Sequence, residues 1–202
     1  EAAGVQNITA NGVTVNNTIK SGIDPDDGVT PVDGKVTVEN SGILTLGSGA
    51  YQGAGTGNTI ANYLGNNNVA SQIQTVTGGG LIQMGLGDYS ATTGANTINN
   101  TIDQNLTLGN DSSDTGNLFI AGAAAAGANT ITNTVTGNVI ANGSSWISFS
   151  HSNGGAVKNA IDGVVNLNDS SYLTAVDGGA AGGGNVVGGG INLNGSGYVA
   201  IG

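Results

Sequence analysis

The sequence predicts an all-β fold, a parallel β-solenoid of about six or seven imperfect turns with three short strands in each. The first observation is a repeated phrase. Asn96-Thr97-Ile98 returns as Asn129-Thr130-Ile131, and weaker copies follow as Asn159-Ala160-Ile161 and Asn185-Val186-Val187. The second is that each copy leads into two further apolar stretches. Leu106-Thr107-Leu108, Val139-Ile140-Ala141, Val165-Asn166-Leu167 and Ile191-Asn192-Leu193 come first; Leu118-Phe119-Ile120 and the stretches opening at Trp146, Tyr172 and Tyr198 follow after a polar turn. The third is the interval, about 26 to 38 residues per unit, which suits a coil whose turns bury their apolar faces only against one another.

Within a unit the apolar residues alternate with period two, as half-buried strands require. In Ile131-Thr132-Asn133-Thr134-Val135 the apolar side chains are expected on one face, with Thr and Asn on the other. Thr, Val and Ile are β-branched and suit a pleated surface. Gly, Asn, Asp and Ser fill the intervals and turn the chain sharply. The Ala-rich residues 121–128 are broken by Gly122 and Gly127 and read as a loop between strands.

Parallel stacking brings equivalent residues about 4.8 Å apart. Asn96, Asn129, Asn159 and Asn185 are therefore expected to form an amide ladder, and Ile98, Ile131, Ile161 and Val187 an aliphatic ladder inside the coil. The first third follows the pattern less cleanly. Val13-Thr14-Val15, Val36-Thr37-Val38 and the stretch from Ile43 to Leu46 read as strands, and Asn58-Thr59-Ile60 opens the loosest unit. Residues 21–34 carry both prolines and four acidic residues. Proline is excluded from paired central strands, so this segment is an excursion from the coil. Residues 1–202 read as a single solenoid domain.

Composition narrows the function. Only 8% of residues are charged, against roughly 25% in ordinary globular domains. With 38% hydrophobic residues and two prolines, the 38 glycines do not signal disorder, which needs low hydrophobicity and high charge. The net charge is −10, and Lys20, Lys35 and Lys158 are the only basic residues. Without arginine there is no cationic footprint for nucleic acid or for an anionic membrane surface. No apolar run approaches the roughly 20 residues of a bilayer span, so membrane insertion is not expected. Cysteine is absent, and the Asn-, Thr- and Gly-rich, lysine-poor composition points to a secreted or cell-surface location.

The phrase running from Asn129 to Phe149 resembles the passenger regions of bacterial autotransporter and filamentous-haemagglutinin-like adhesins, and the resemblance is clearest from Asn96 onward. Those families are right-handed parallel β-helices displayed outside the cell. The resemblance implies fold and compartment, with adhesion or surface structure as the role.

Residues for catalysis are scarce. His151, the single histidine, sits in a Ser-His-Ser-Asn-Gly turn with no nucleophile elbow or orienting context. Asp103, Asp162 and Asp177 do not form the paired carboxylates of glycoside hydrolysis. Gly182-Gly183-Gly184 lacks the Lys and Ser/Thr of a phosphate loop. No enzymatic activity is expected, and no cofactor apart from calcium. Asp24, Asp26, Asp27 and Asp33 offer hard oxygens at short spacing, the donor set calcium takes, although a solvated acidic loop accounts for them better.

Two surfaces are candidates for contact. Thr75 and Thr77, with Thr132, Thr134 and Thr136, suggest the ordered threonines of an ice-binding face, but the pairs do not recur in every unit. Trp146, Tyr172 and Tyr198 occupy one place in three successive units; a buried aromatic ladder is expected there ahead of a carbohydrate platform. Both ends of the sequence read as strand, with Val5, Ile8, Val13 and Val15 at the start and Tyr198, Val199 and Ile201 at the finish. Exposed turns at the two ends of one coil form a heterologous interface that propagates. The expected function is thus a homopolymer, a secreted filament built head to tail. The alternative is an adhesin segment that contacts glycan or another surface.

Overall fold

Three parallel six-stranded sheets wind around one apolar core, and their strands follow each other in a fixed cycle. The computed structural model describes residues 14–20, 22–23, 31–32, 36–47, 49–53, 59–65, 73–85, 87–92, 96–120, 130–149, 156–175 and 183–202. The first sheet contains Thr14–Lys20, Thr59–Gly65, Thr97–Asp103, Thr130–Val135, Ala156–Ile161 and Gly184–Val187. The second contains Thr37–Val38, Ile73–Val76, Asn105–Leu108, Val139–Ala141, Val165–Asp169 and Ile191–Gly195. The third contains Ile43–Leu46, Gly80–Met84, Gly116–Ile120, Trp146–Phe149, Tyr172–Ala175 and Tyr198–Ile201. One strand from each sheet makes a turn, and six turns make a parallel β-solenoid. The described residues contain no helix.

Two short pairs lie outside these sheets. Gly22–Ile23 and Pro31–Val32 pair antiparallel at the base of the acidic excursion, and Gly49–Gly53 pairs parallel with Gly87–Thr92. Residues 21, 24–30 and 33–34 of the excursion, the Ala-rich residues 121–128, and Asn129 are outside the described residues.

Alternation along each strand decides what goes inside. In Thr97–Asp103, Ile98, Asn100 and Ile102 are buried, while Thr97, Asn99 and Thr101 face outward. Val157, Asn159 and Ile161 repeat this in Ala156–Ile161, with Lys158 outside. The other two sheets complete the core with residues such as Leu106, Leu108 and Val165, and Ile82, Leu118 and Ile147, all fully buried. A turn alone has no interior; the core exists only because the next turn covers it.

Asparagine is the exception to apolar filling, and here the expectation needs correcting. Asn133 does not lie on the polar face of its strand; it points inward between Ile131 and Val135. The amide column runs Asn17, Asn62, Asn100, Asn133, Asn159, Asn185, each side chain donating to the next at 2.7 to 2.9 Å. Asn159 and Asn185 belong to it as expected. Asn96 is instead buried just before its strand, where its carbonyl accepts from Thr130 N–H. An unpaired amide in this core would be costly, and the column satisfies each member through its neighbours.

Room for the column comes from glycine. Gly85 has φ +64°, and a Cβ there would lie 2.8 Å from the Asn100 amide. A larger residue would be strained in its backbone and would collide with the ladder.

The aliphatic ladder also divides. Ile98 pairs with Ile131, but Ile131 continues into Val157. Ile161 pairs with Val135 and then with Val187. Ile98, Ile131 and Ile161 are buried and Val187 packs against the core, in two neighbouring columns instead of one.

Rungs of the Asn column are separated by 45, 38, 33, 26 and 26 residues. The turns tighten along the chain while the three-strand frame stays constant.

Candidate functional site

Two features project from this frame: the open faces of the outer turns and a row of aromatic side chains on the third sheet.

The last turn leaves apolar groups uncovered. Leu193 is 52% exposed and Ile201 46% exposed, although their column neighbours Leu167 and Ala175 are buried. The backbone is equally open. Tyr198 and Gly202 donate back to the carbonyls of Ser171 and Ala175. Since successive residues of a parallel strand address opposite neighbours, the N–H groups of Val199 and Ile201 point to the open edge. At the opposite end Ile19, Val36, Val38 and Leu44 line an open hollow on the first turn. Of the predicted interface residues, Tyr198, Val199 and Ile201 lie together on the last turn. Val15 pairs with Ile60 in the first. Val5, Ile8 and Val13 lie outside the described residues.

Trp146, Tyr172 and Tyr198 stand in one column of the third sheet, as their spacing suggested. Their expected burial is incorrect. Trp146 is 43%, Tyr172 41% and Tyr198 55% exposed. Strand parity explains the difference: Ile147 and Phe149, Leu173 and Ala175 take the inward positions, so the aromatic residue before each pair must face out. Trp146 is held at two points. Its ring meets Phe119 edge-on, with centroids 5.0 Å apart at 77°, and its indole N–H donates to Thr174 Oγ1 at 3.1 Å.

Polar groups elsewhere serve the turns. Asp114 accepts from the backbone N–H of Asn110 and of Thr115 and, from the preceding turn, Gly78. These contacts, that from Asn110 foremost, hold its carboxyl below the usual range. Tyr63 donates to Asp103 at 2.6 Å; its own burial, reinforced by that bond and charge, pushes the phenol well above its ordinary value. A second amide column, missed in the sequence, runs Asn194 to Asn168 to Asn142 and ends on the Gly109 carbonyl. Its polarity is opposite to that of the core column. The threonines do not make a uniform face: Thr75 is half-buried on the outside and Thr77 is buried.

No group of three or more His, Cys, Asp or Glu among the described residues is arranged to hold a metal. Asp24, Asp26, Asp27, Asp33 and His151 fall outside those residues. Comparison with family models, curated proteins and solved structures finds no significant match.

Proposed function

We propose that this chain is a non-enzymatic structural subunit that polymerises head to tail, the last turn of one copy stacking on the first turn of the next in an extracellular filament. The observation supporting this reading is the register the columns would keep across the joint. The core amide column donates forward from Asn17 to Asn185, whose own amide is held by the Gly202 carbonyl at 3.1 Å; a following copy would place its Asn17 above Asn185 and take over that donor. The same register sets Leu193 beneath Val38, Val199 beneath Leu44 and Ile201 beneath Leu46 of that copy. Apolar residues would meet apolar residues in both remaining sheets. Such a contact is heterologous and propagates without closing. A polar, lysine-poor chain with only 8% charged residues suits a location outside the cell, and the structural role agrees with the scarcity of catalytic groups in the sequence.

Electron microscopy of the purified chain and of Val199→Pro tests the joint. The substitution removes a donor aimed at the open edge and spares the bonds made back to Ser171 and Ala175. The expected result is fibres from the parent chain and folded, β-rich, dispersed particles from the variant. Dispersed particles alone from the parent at high concentration would sink the filament reading, leaving the face to be covered by a further segment of a longer polypeptide. Fibres of undiminished length from the variant would exclude this strand as the joint.

A further inference from the structure

We propose that the outward face of the third sheet, at Trp146, Tyr172 and Tyr198, binds a linear neutral polysaccharide of β-linked pyranose units. This site is on the side of the solenoid; Trp146 and Tyr172 stand on inner turns, while Tyr198 also belongs to the last turn.

Three large aromatic side chains on successive rungs form an apolar strip, and such a patch on an otherwise polar surface marks a contact site. The rungs repeat about every 4.8 Å, close to the length of one pyranose unit, so consecutive rings can meet consecutive sugars. The apolar C–H face of a pyranose stacks on an aromatic ring while its equatorial hydroxyls stay at the rim. The rim here is suited to them. The Tyr172 and Tyr198 hydroxyls make no hydrogen bond to the described residues, and an amphipathic ring of this kind pairs an apolar body with a polar tip.

The platform is also prepared in advance. An exposed tryptophan ordinarily keeps its rotamer freedom and loses it on binding. The Trp146 ring is already fixed, edge-on to Phe119 and bonded to Thr174. The bond to Thr174 reaches across to the next rung, so it ties the indole to the strand that carries Tyr172. Such ordering adds nothing to the core, because the ring lies outside it.

Charge selects the ligand class. Ser148, Thr174 and Ala200, the other outward residues of these rungs, and Asn117 and Phe119 on the preceding one, are uncharged. The chain as a whole carries −10, which disfavours acidic polymers, nucleic acid included. A neutral chain pays neither cost.

Trp146 is the only tryptophan in the sequence, so its fluorescence reports on this strip alone. Titration with cellohexaose and with chitohexaose is expected to give a saturable change in emission with at least one of them, and polygalacturonate none. Tyr172→Ala and Tyr198→Ala are each expected to weaken the response about ten-fold. Both side chains lie outside the core, so circular dichroism should stay that of the parent. Silence with both hexasaccharides would overturn the proposal, as would an unchanged titration in Tyr172→Ala. Emission that shifts with protein concentration alone, together with rising particle mass, would assign the strip to lateral packing between copies and overturn it as well.

Discussion

Asn133 donates its side-chain amide to Asn159 Oδ1 across 2.8 Å, and both side chains are buried between adjacent turns. Asn133 in turn accepts from Asn100 at 2.9 Å. A residue type normally found at turns thus bridges the interior of the coil, and it fixes register as aliphatic contacts cannot. Two isoleucine columns tolerate a slip by two residues; an amide set against an isoleucine does not.

Removing the middle rung should therefore cost more than the bond itself. Asn133→Ala takes away the acceptor of the buried Asn100 amide and the donor to Asn159 Oδ1, and it opens a cavity. The expected loss is about 2 to 4 kcal/mol, since removing one partner of a buried hydrogen bond costs about 1 to 3 kcal/mol and the cavity adds to it. Urea unfolding followed by circular dichroism measures it. A midpoint equal to the parent's would show that the column does not support the fold.

Acid should weaken the turn formed by residues 110–115. Asp114 binds N–H groups from Asn110, Gly78 and Thr115, which depress its folded pKa. A depressed carboxylate contributes stability above its unfolded pKa of about 3.9, and that contribution is lost as pH falls through the folded value. Asp111 is depressed likewise, chiefly by the hydroxyl of Ser113. Melting temperature should decline as pH falls below about 4, with a shallower decline in Asp114→Asn. Equal declines in parent and variant would remove Asp114 from the account.

Strand type, order and sheet membership were legible from Leu106 onward because the turns there are short and each carries three separate apolar stretches. Earlier turns are longer, and strands such as Ile73–Val76 and Gly87–Thr92 lay among Gly and Gln residues that give no period. The ladder assignments slipped for a definite reason. Residues 96–103 contain the repeated phrase twice in succession, at Asn96-Thr97-Ile98 and again at Asn100-Thr101-Ile102. The later copies at Asn159 and Asn185 match the second of these. The slip is four residues, an even number, so inside and outside were preserved and only the column changed. For the aromatic strip, the column was legible but the face was not. That needed the parity of Ile147 and Leu173, the residues following Trp146 and Tyr172, which turn inward.

That same parity yields a sharp test at Ile131. It is fully buried and is stacked between Ile98 and Val157 in the core of the first sheet. Ile131→Asp would place a carboxylate between two apolar rungs, two residues from the Asn133 column and with no described cation in either adjoining inward position. The charge must either remain unpaired or take up a proton, and both routes cost folding free energy. The expected destabilisation is at least about 3 kcal/mol, the scale of an uncompensated buried charge. Thr132→Asp is the control, because its side chain belongs to the outward face of the same strand and stays in water. Thermal melting of the two variants should separate them widely, with Ile131→Asp losing β-structure at a temperature where Thr132→Asp retains it. If the order were reversed, the strand would be turned by one residue and every inward position assigned to the first sheet would move to its outer face.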